Sequence, residues 1–199
     1  MFGFLNGSGK SHADNKNTHL LSEKPQDSPS LVVGGGCFWC LEWEFNALEG
    51  ILYTESGYQG GQLDNPKYRD ITSGKTGHAE VVRVFYNPDI IKPEAILDHF
   101  LRKAHDPTQL NRQGVDVGTQ YRSVIFYDDD AAKELSQSVI DEVNASGEWD
   151  DPIVTTLEPS ATFFAAEEYH QDYYEKYEAE TGQSHIRVIM KEKKKAKAQ

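Results

Sequence analysis

Two cysteines, Cys37 and Cys40, stand three residues apart in Gly34-Gly35-Gly36-Cys37-Phe38-Trp39-Cys40, and they are the only cysteines in the 199-residue chain. A thiolate is a nucleophile, and a nearby second thiol can close a disulfide on it. On a helix, positions i and i+3 are neighbours with a Cα separation of roughly 5 Å, inside the range a disulfide spans. The pair also has a plain structural reading, because cysteine is a common buried apolar side chain. A zinc site would need about four ligands, so it would have to recruit from His78, His99, His105, His170 and His185.

Two further stretches carry candidate groups. In Gly74-Lys75-Thr76-Gly77-His78-Ala79-Glu80, Glu80 opens an apolar strand pattern. It is either a charged strand end facing water or a partly buried carboxyl. In the second case desolvation raises its pKa and suits it to general acid work. The Gly-Lys-Thr run lacks the spacing of a phosphate loop. In Gln113 to Ser123, Gly114 and Gly118 permit an unusual backbone path around Asp116. Asp116 either fixes that loop or sets the field of a cleft. Tyr58, Tyr68, Tyr121 and Tyr173 are each either packed or available as hydroxyl donors to a ligand oxygen.

The elements that must position these groups follow from patterning. Leu31–Gly36 reads as a short buried strand, and a helix runs from Cys37 to about Leu48, ended by Gly50. Cys37 then sits at a helix N-terminus, where unpaired N–H groups and the helix dipole favour a thiolate and a lowered pKa. Ile51–Ser56 reads as a strand and Gly57–Gly61 as a turn-rich break, followed by a polar loop through Pro66 and Gly77. His78–Tyr86 is a strand. Pro93 opens a helix to about Ala104, and Asp106–Gln120 is a long aperiodic loop. Tyr121–Tyr127 and Ile153–Leu157 read as strands, Asp128–Ala145 and Glu167–Tyr177 as helices. The fold class expected is α/β, an α+β sandwich. Its mixed sheet is built on a ferredoxin-like split βαβ core with an extra C-terminal helical and irregular segment. The domain spans 30–187, after a disordered extension at 1–29 and before a lysine-rich tail at 188–199.

Composition narrows the class. Hydrophobic residues at 38% and aromatics at 11% are enough for a packed core. No run approaches the roughly 18 apolar residues of a membrane span, and the first 30 residues hold no apolar signal core. A net charge of −12 argues against a nucleic-acid or anionic-membrane surface. Two cysteines make no disulfide scaffold, so a cytoplasmic, reducing setting is expected, where such a pair is catalytic, redox or metal-binding.

Taken together, Gly36-Cys37-Phe38-Trp39, Gly74 through Glu80, Asp116-x-Gly118-x-Gln120-Tyr121-Arg122-Ser123 and His170-Gln171-Asp172-Tyr173 resemble the ordered signatures of A-type peptide methionine sulfoxide reductases. The resemblance covers about Leu31 to Ile186. It implies reduction of the S epimer of methionine sulfoxide, free or in proteins. It implies Cys37 as the nucleophile and Glu80 as the acid that protonates the sulfoxide oxygen. Tyr68 and Tyr121 match hydroxyls that hold that oxygen, and Phe38 and Trp39 match the pocket for the S-methyl group. Asp116 matches an electrostatic or organising residue, and Tyr173 a further pocket residue. Cys37 would end as a sulfenic acid, which another thiol must reduce. No metal or organic cofactor is implied.

The chain departs from the many family members that carry resolving cysteines near the C-terminus, for it has none after Cys40. Either Cys40 resolves the sulfenic acid and thioredoxin reduces the resulting disulfide, or Cys40 is packed and an external thiol (thioredoxin, glutaredoxin or glutathione) attacks directly. The first is favoured. Two other classes remain beside the reductase: a general C-x-x-C thiol–disulfide oxidoreductase, which leaves the Glu80 and Asp116 stretches without a task, and a non-catalytic zinc or interaction module.

Overall fold

The computed structural model describes residues 20, 21 and 23–183. The lysine-rich tail and most of the N-terminal extension lie outside the described residues. Just before residue 30 the chain already bonds to the sheet: the Leu21 amide donates to the Leu52 carbonyl at 2.7 Å and Lys24 Nζ to Glu55 at 2.7 Å.

β1 (Ser30–Gly34) leads through a glycine turn into α1 (Phe38–Asn46), which returns to β2 (Ile51–Gln59). A short helix, α2 (Tyr68–Ile71), precedes β3 (Ala79–Tyr86). α3 (Pro93–His99) continues as a π-helical turn over Phe100–Ala104. A small hairpin, β4 (Arg112–Gln113) and β5 (Asp116–Val117), is followed by a 3-10 turn at Thr119–Tyr121 and by β6 (Val124–Tyr127). Then come α4 (Asp130–Ser146), β7 (Thr156–Pro159), β8 (Phe164–Ala165), a 3-10 turn at Glu168–His170 and α5 (Tyr173–Thr181).

The six-stranded sheet has the order β7-β6-β1-β3-β2-β8. Its centre, β6-β1-β3-β2, is antiparallel throughout and is the split βαβ arrangement the pattern predicts. β7 adds parallel to β6 after the α4 crossover, and β8 adds to the outer edge of β2, which makes the sheet mixed. Alternation along the strands divides the core. Val33, Val82, Val84 and Ile125 face α1, α3 and α4, while Val32, Val81, Val124 and Phe126 form a smaller cluster on the other face, covered by Phe163.

Several boundaries differ from the sequence reading. The stretch Gly57-Tyr58-Gln59 is strand, because Tyr58 pairs with Glu80 on one side and Phe164 on the other. The polar loop hides α2, whose first turn is closed by the Lys67 amide on Asp70. Residues 121–123 are not strand; β6 begins at Val124. β7 begins three residues later than expected, at Thr156. The expected helix from Glu167 is broken in two by Asp172, which sits at φ +48°. The aperiodic loop at 106–120 carries the β4–β5 hairpin. No described helix is long and apolar enough to cross a membrane.

Candidate active site

Gly36 adopts φ +97°, a region open mainly to glycine, and a Cβ there would lie 2.7 Å from the Gln113 side chain. That turn delivers Cys37 as the N-cap of α1, with no side-chain cap of its own. The Cys40 amide donates to the Cys37 carbonyl at 3.1 Å, so the two thiols share the first helical turn. Neither cysteine is in a disulfide, and both are half-buried.

Glu80, the second residue of β3, is 1% exposed. Its Oε2 accepts the Phe38 amide at 3.2 Å, which ties the carboxyl to the peptide following Cys37. Burial, reinforced by the Asp116 and Cys40 charges and opposed by the Phe38 amide, pushes its pKa up to about 8. Glu80 is therefore a buried, protonated acid at neutral pH and not a strand end facing water.

The Cys37 thiol is also pushed well up. Hydrogen bonding with Cys40 comes first, then burial, then the charges of Cys40 and Glu80. This overturns the expectation of a lowered value. The helix end is present, but burial and two acidic neighbours outweigh it, so the resting group is a thiol.

Tyr68 enters from α2 and Tyr121 from the 3-10 turn after Gly118, whose φ of +143° again suits glycine. Burial first, then Glu80, raises the Tyr68 hydroxyl to about 12, with Cys37 and Asp116 adding to it. Tyr121 is raised by burial, Glu80, Tyr68, Asp116 and Cys37. Both stay phenols and can donate. Asp116 on β5 thus acts on Glu80, Tyr68 and Tyr121 together.

An aromatic wall completes the site. The Phe38 ring lies 5.9 Å from Tyr58, 6.4 Å from Tyr68 and 5.1 Å from His170. Trp39 stacks on Tyr173 at 3.8 Å and donates its Nε1–H to His170 Nδ1 at 3.1 Å. All the candidate residues, Cys37, Phe38, Trp39, Cys40, Tyr68, Glu80, Asp116, Tyr121 and Tyr173, thus fall in one linked cluster.

Two supporting groups, Glu167 and Tyr174, escape the sequence reading, which names His170 only as a zinc candidate and within a family motif. Glu167 accepts the Tyr58 hydroxyl at 3.1 Å and the Tyr68 amide at 3.2 Å, which fixes α2 against the wall. His170 serves as acceptor for Trp39 and not as a metal ligand. Tyr174 lies against Cys40, with Oη to Sγ at 3.3 Å. Contacts made across distant stretches of chain give no local signal for Glu167 or Tyr174.

The histidines weighed for zinc are dispersed. His78 bonds to the Gly61 amide and Leu63 carbonyl, His105 to the Phe100 carbonyl and Ser123, and His99 lies beside Glu44. No group of three metal-ligating side chains occurs among the described residues, and His185 lies outside them. The cluster instead joins a thiol, a protonated carboxyl, two phenols and an apolar wall. Such a set can hold a polar oxygen on a small apolar group, protonate it and attack the atom that bears it.

Comparison with known proteins points the same way. The family described as peptide methionine sulfoxide reductase matches residues 29–199. The peptide methionine sulfoxide reductase MsrA of Natronomonas pharaonis is 52% identical over 147 residues, covering 74% of this chain and 82% of the relative. That of Acidobacterium capsulatum is 53% identical over 145 residues, covering 73% and 92%. Among solved structures, reduced Mxr1 from Saccharomyces cerevisiae superposes with a TM-score of 0.71 at 35% identity, over 79% of this chain and 91% of that one. Methionine sulfoxide reductase A of Corynebacterium diphtheriae gives 0.65 at 34% identity, over 76% of each chain. Mxr1 in complex with Trx2 gives 0.53 at 26% identity, over 77% of this chain and 91% of that one.

Proposed function

Because the chain belongs to the peptide methionine sulfoxide reductase family, we propose that its chemistry runs from Cys37 to Cys40 across the cluster just described. The protein is an oxidoreductase that reduces methionine sulfoxide at the expense of thiols. Phe38 and Trp39 receive the S-methyl group and exclude water, and Tyr173 backs Trp39. Tyr68 and Tyr121 donate to the sulfoxide oxygen. Glu80 lends its proton to that oxygen, while Asp116 helps keep Glu80 protonated.

Cys37 loses its proton as its sulfur bonds to the sulfoxide sulfur. The S–O bond of the substrate breaks with its oxygen leaving as water. Water then adds to the Cys37 sulfur as the bond to the substrate sulfur breaks, methionine leaves, and Cys37 is left as a sulfenic acid. Sulfoxide plus thiol gives thioether plus sulfenic acid, so the proton Glu80 lends is returned and no metal or organic cofactor enters the balance. The S epimer is the substrate that the family resemblance implies. Cys40 then closes a disulfide on Cys37, and thioredoxin reduces it. Mxr1, a structural neighbour, is known in complex with Trx2. We place the cycle in the cytoplasm, on free or protein-bound sulfoxide, with 30–187 as the catalytic body and 1–29 and 188–199 as extensions. A net charge of −12 fits a protein without nucleic-acid or membrane partners.

The observation that carries this reading is the Phe38 amide on Glu80 Oε2 at 3.2 Å, which holds a buried acid beside the thiol. A stoichiometric turnover without reductant tests it. Wild type should release about one methionine per chain with loss of both thiols. Cys40→Ser should release the same amount and stop at a Cys37 sulfenic acid, and Cys37→Ser should release none. Release of methionine by Cys37→Ser removes the nucleophile assignment. Normal thioredoxin-driven cycling by Cys40→Ser gives the resolving step to an external thiol.

A further inference from the structure

Tyr174 belongs to none of the motifs that carry the family likeness, yet it is built into the site. It is the second residue of α5 and 3% exposed. Its ring stands edge-on to Trp39 at 6.4 Å and against Tyr173 at 5.8 Å. Its hydroxyl oxygen lies 3.3 Å from Cys40 Sγ. Among the groups that act on Cys40 are Cys37 on its own turn, Glu80 from β3 and Tyr174 from α5, with Tyr173 beside Tyr174. Cys37 and Glu80 oppose a negative charge there. Burial first and Cys40 second raise the Tyr174 hydroxyl, so it keeps its proton and remains able to donate. A fixed O–H donor favours the thiolate over the thiol.

We propose that Tyr174 is the positioning residue of the second half-reaction: its hydroxyl holds Cys40 Sγ beside Cys37 and stabilises the Cys40 thiolate that attacks the Cys37 sulfenic acid. This rests on Cys40 being the resolving thiol. In that step the Cys40–Cys37 S–S bond forms and the Cys37 S–O bond breaks. Hydroxide leaves and takes up the proton that Cys40 released, giving water. The Cys37 sulfenic sulfur is reduced, the Cys40 sulfur is oxidised, and no further reagent is needed.

The first arm of the test does not depend on sulfoxide chemistry. In a Cys37→Ser chain, Cys40 alkylation by iodoacetamide is followed against pH with Tyr174 present and with Tyr174→Phe, which keeps the ring. The alkylation midpoint should move to higher pH in Tyr174→Phe, leaving on the order of tenfold less thiolate at neutral pH. Ring-fluorinated tyrosine at position 174 keeps the packing and strengthens the donor, so it should move the midpoint the other way. In the second arm, Tyr174→Phe in the otherwise native chain should retain its methionine burst while disulfide formation slows about tenfold. A merely structural role would not shift the alkylation midpoint. An unmoved midpoint with both substitutions overturns the proposal. A moved midpoint with disulfide formation at the native rate overturns its resolving clause, because Cys40 then resolves without Tyr174, whereas a wild type that forms no Cys37–Cys40 disulfide removes Cys40 as resolver and the reading on which the proposal rests.

Discussion

Glu80 Oε2 accepts the Phe38 amide at 3.2 Å, so the buried acid and the nucleophile-bearing turn are held in register by one hydrogen bond between β3 and α1. The Glu80 charge raises the Cys37 thiol, so a pH–rate profile reports both groups. One inflection should fall near pH 8, where Glu80 loses its proton. Glu80→Gln should remove that inflection and slow methionine release by about 10²–10⁴. A Glu80→Gln chain with native single-turnover kinetics would refute the acid.

The same carboxyl shapes stability. Its ordinary value is 4.5 and its folded value about 8. The folded state therefore holds a proton that the unfolded chain has given up. The contribution is complete below 4.5 and is lost as pH rises through about 8. Across that window the loss is on the order of 4–5 kcal/mol. Urea midpoints of Glu80→Gln should decline less between pH 5 and 9 than those of wild type.

Tyr68 and Tyr121 reach the proposed oxygen site from separate elements and remain phenols. Tyr68→Phe and Tyr121→Phe should each lower kcat/KM about tenfold, the value of one donor to a polarised oxygen. The Glu80 inflection near pH 8 should persist in both. Unchanged kcat/KM in either would detach that hydroxyl from the reaction.

Gly36 stands at φ +97° with a Gln113 carbon 2.7 Å from where a Cβ would be. Gly36→Ala should cost about 1–3 kcal/mol, a melting temperature at least about 3 °C lower. It should also slow the first turnover, since the strain falls on the peptide before Cys37. A melting curve superposable on wild type would show that the turn relaxes freely.

Glu42 on α1 is 1% exposed, and its Oε2 accepts the Asp172 amide at 2.9 Å. Burial first, then Asp172, raises its pKa well above the usual carboxylate range. The stability it gives in its protonated form is full below that range and is lost as pH climbs above it. Glu42→Gln keeps the acceptor without the charge, so it should melt higher than wild type at pH 8 and close to it at pH 5. A larger gain at pH 5 would reverse the sign argued here.

The sequence revealed the strand–glycine turn–helix that presents Cys37 because Leu31–Val33, three glycines and the period of Leu41, Phe45 and Leu48 are all local signals. It revealed the four-stranded antiparallel centre for the same reason. It misplaced Tyr58, because Gly57 and Gly60 read as punctuation while pairing to Glu80 and Phe164 comes from distant chain. It missed the break at Asp172, where the residue types are helical and the Asn46 and Glu42 contacts across to α1 hold the left-handed turn. The charge state of Cys37 was out of reach. A helix end is written in the sequence, but the depth of burial and the proximity of Glu80 are not.

Cys37 and Cys40 occupy one helical turn, joined by the Cys40 amide on the Cys37 carbonyl at 3.1 Å. Every catalytic round makes the form of cysteine that a second oxidant molecule turns into the irreversible sulfinic acid. On the proposed cycle, Cys40 one turn away shortens the life of that vulnerable species without any large movement of the chain. With Cys40 as resolver, the arrangement is a safeguard as well as a relay: the enzyme is protected from being spent by its own intermediate.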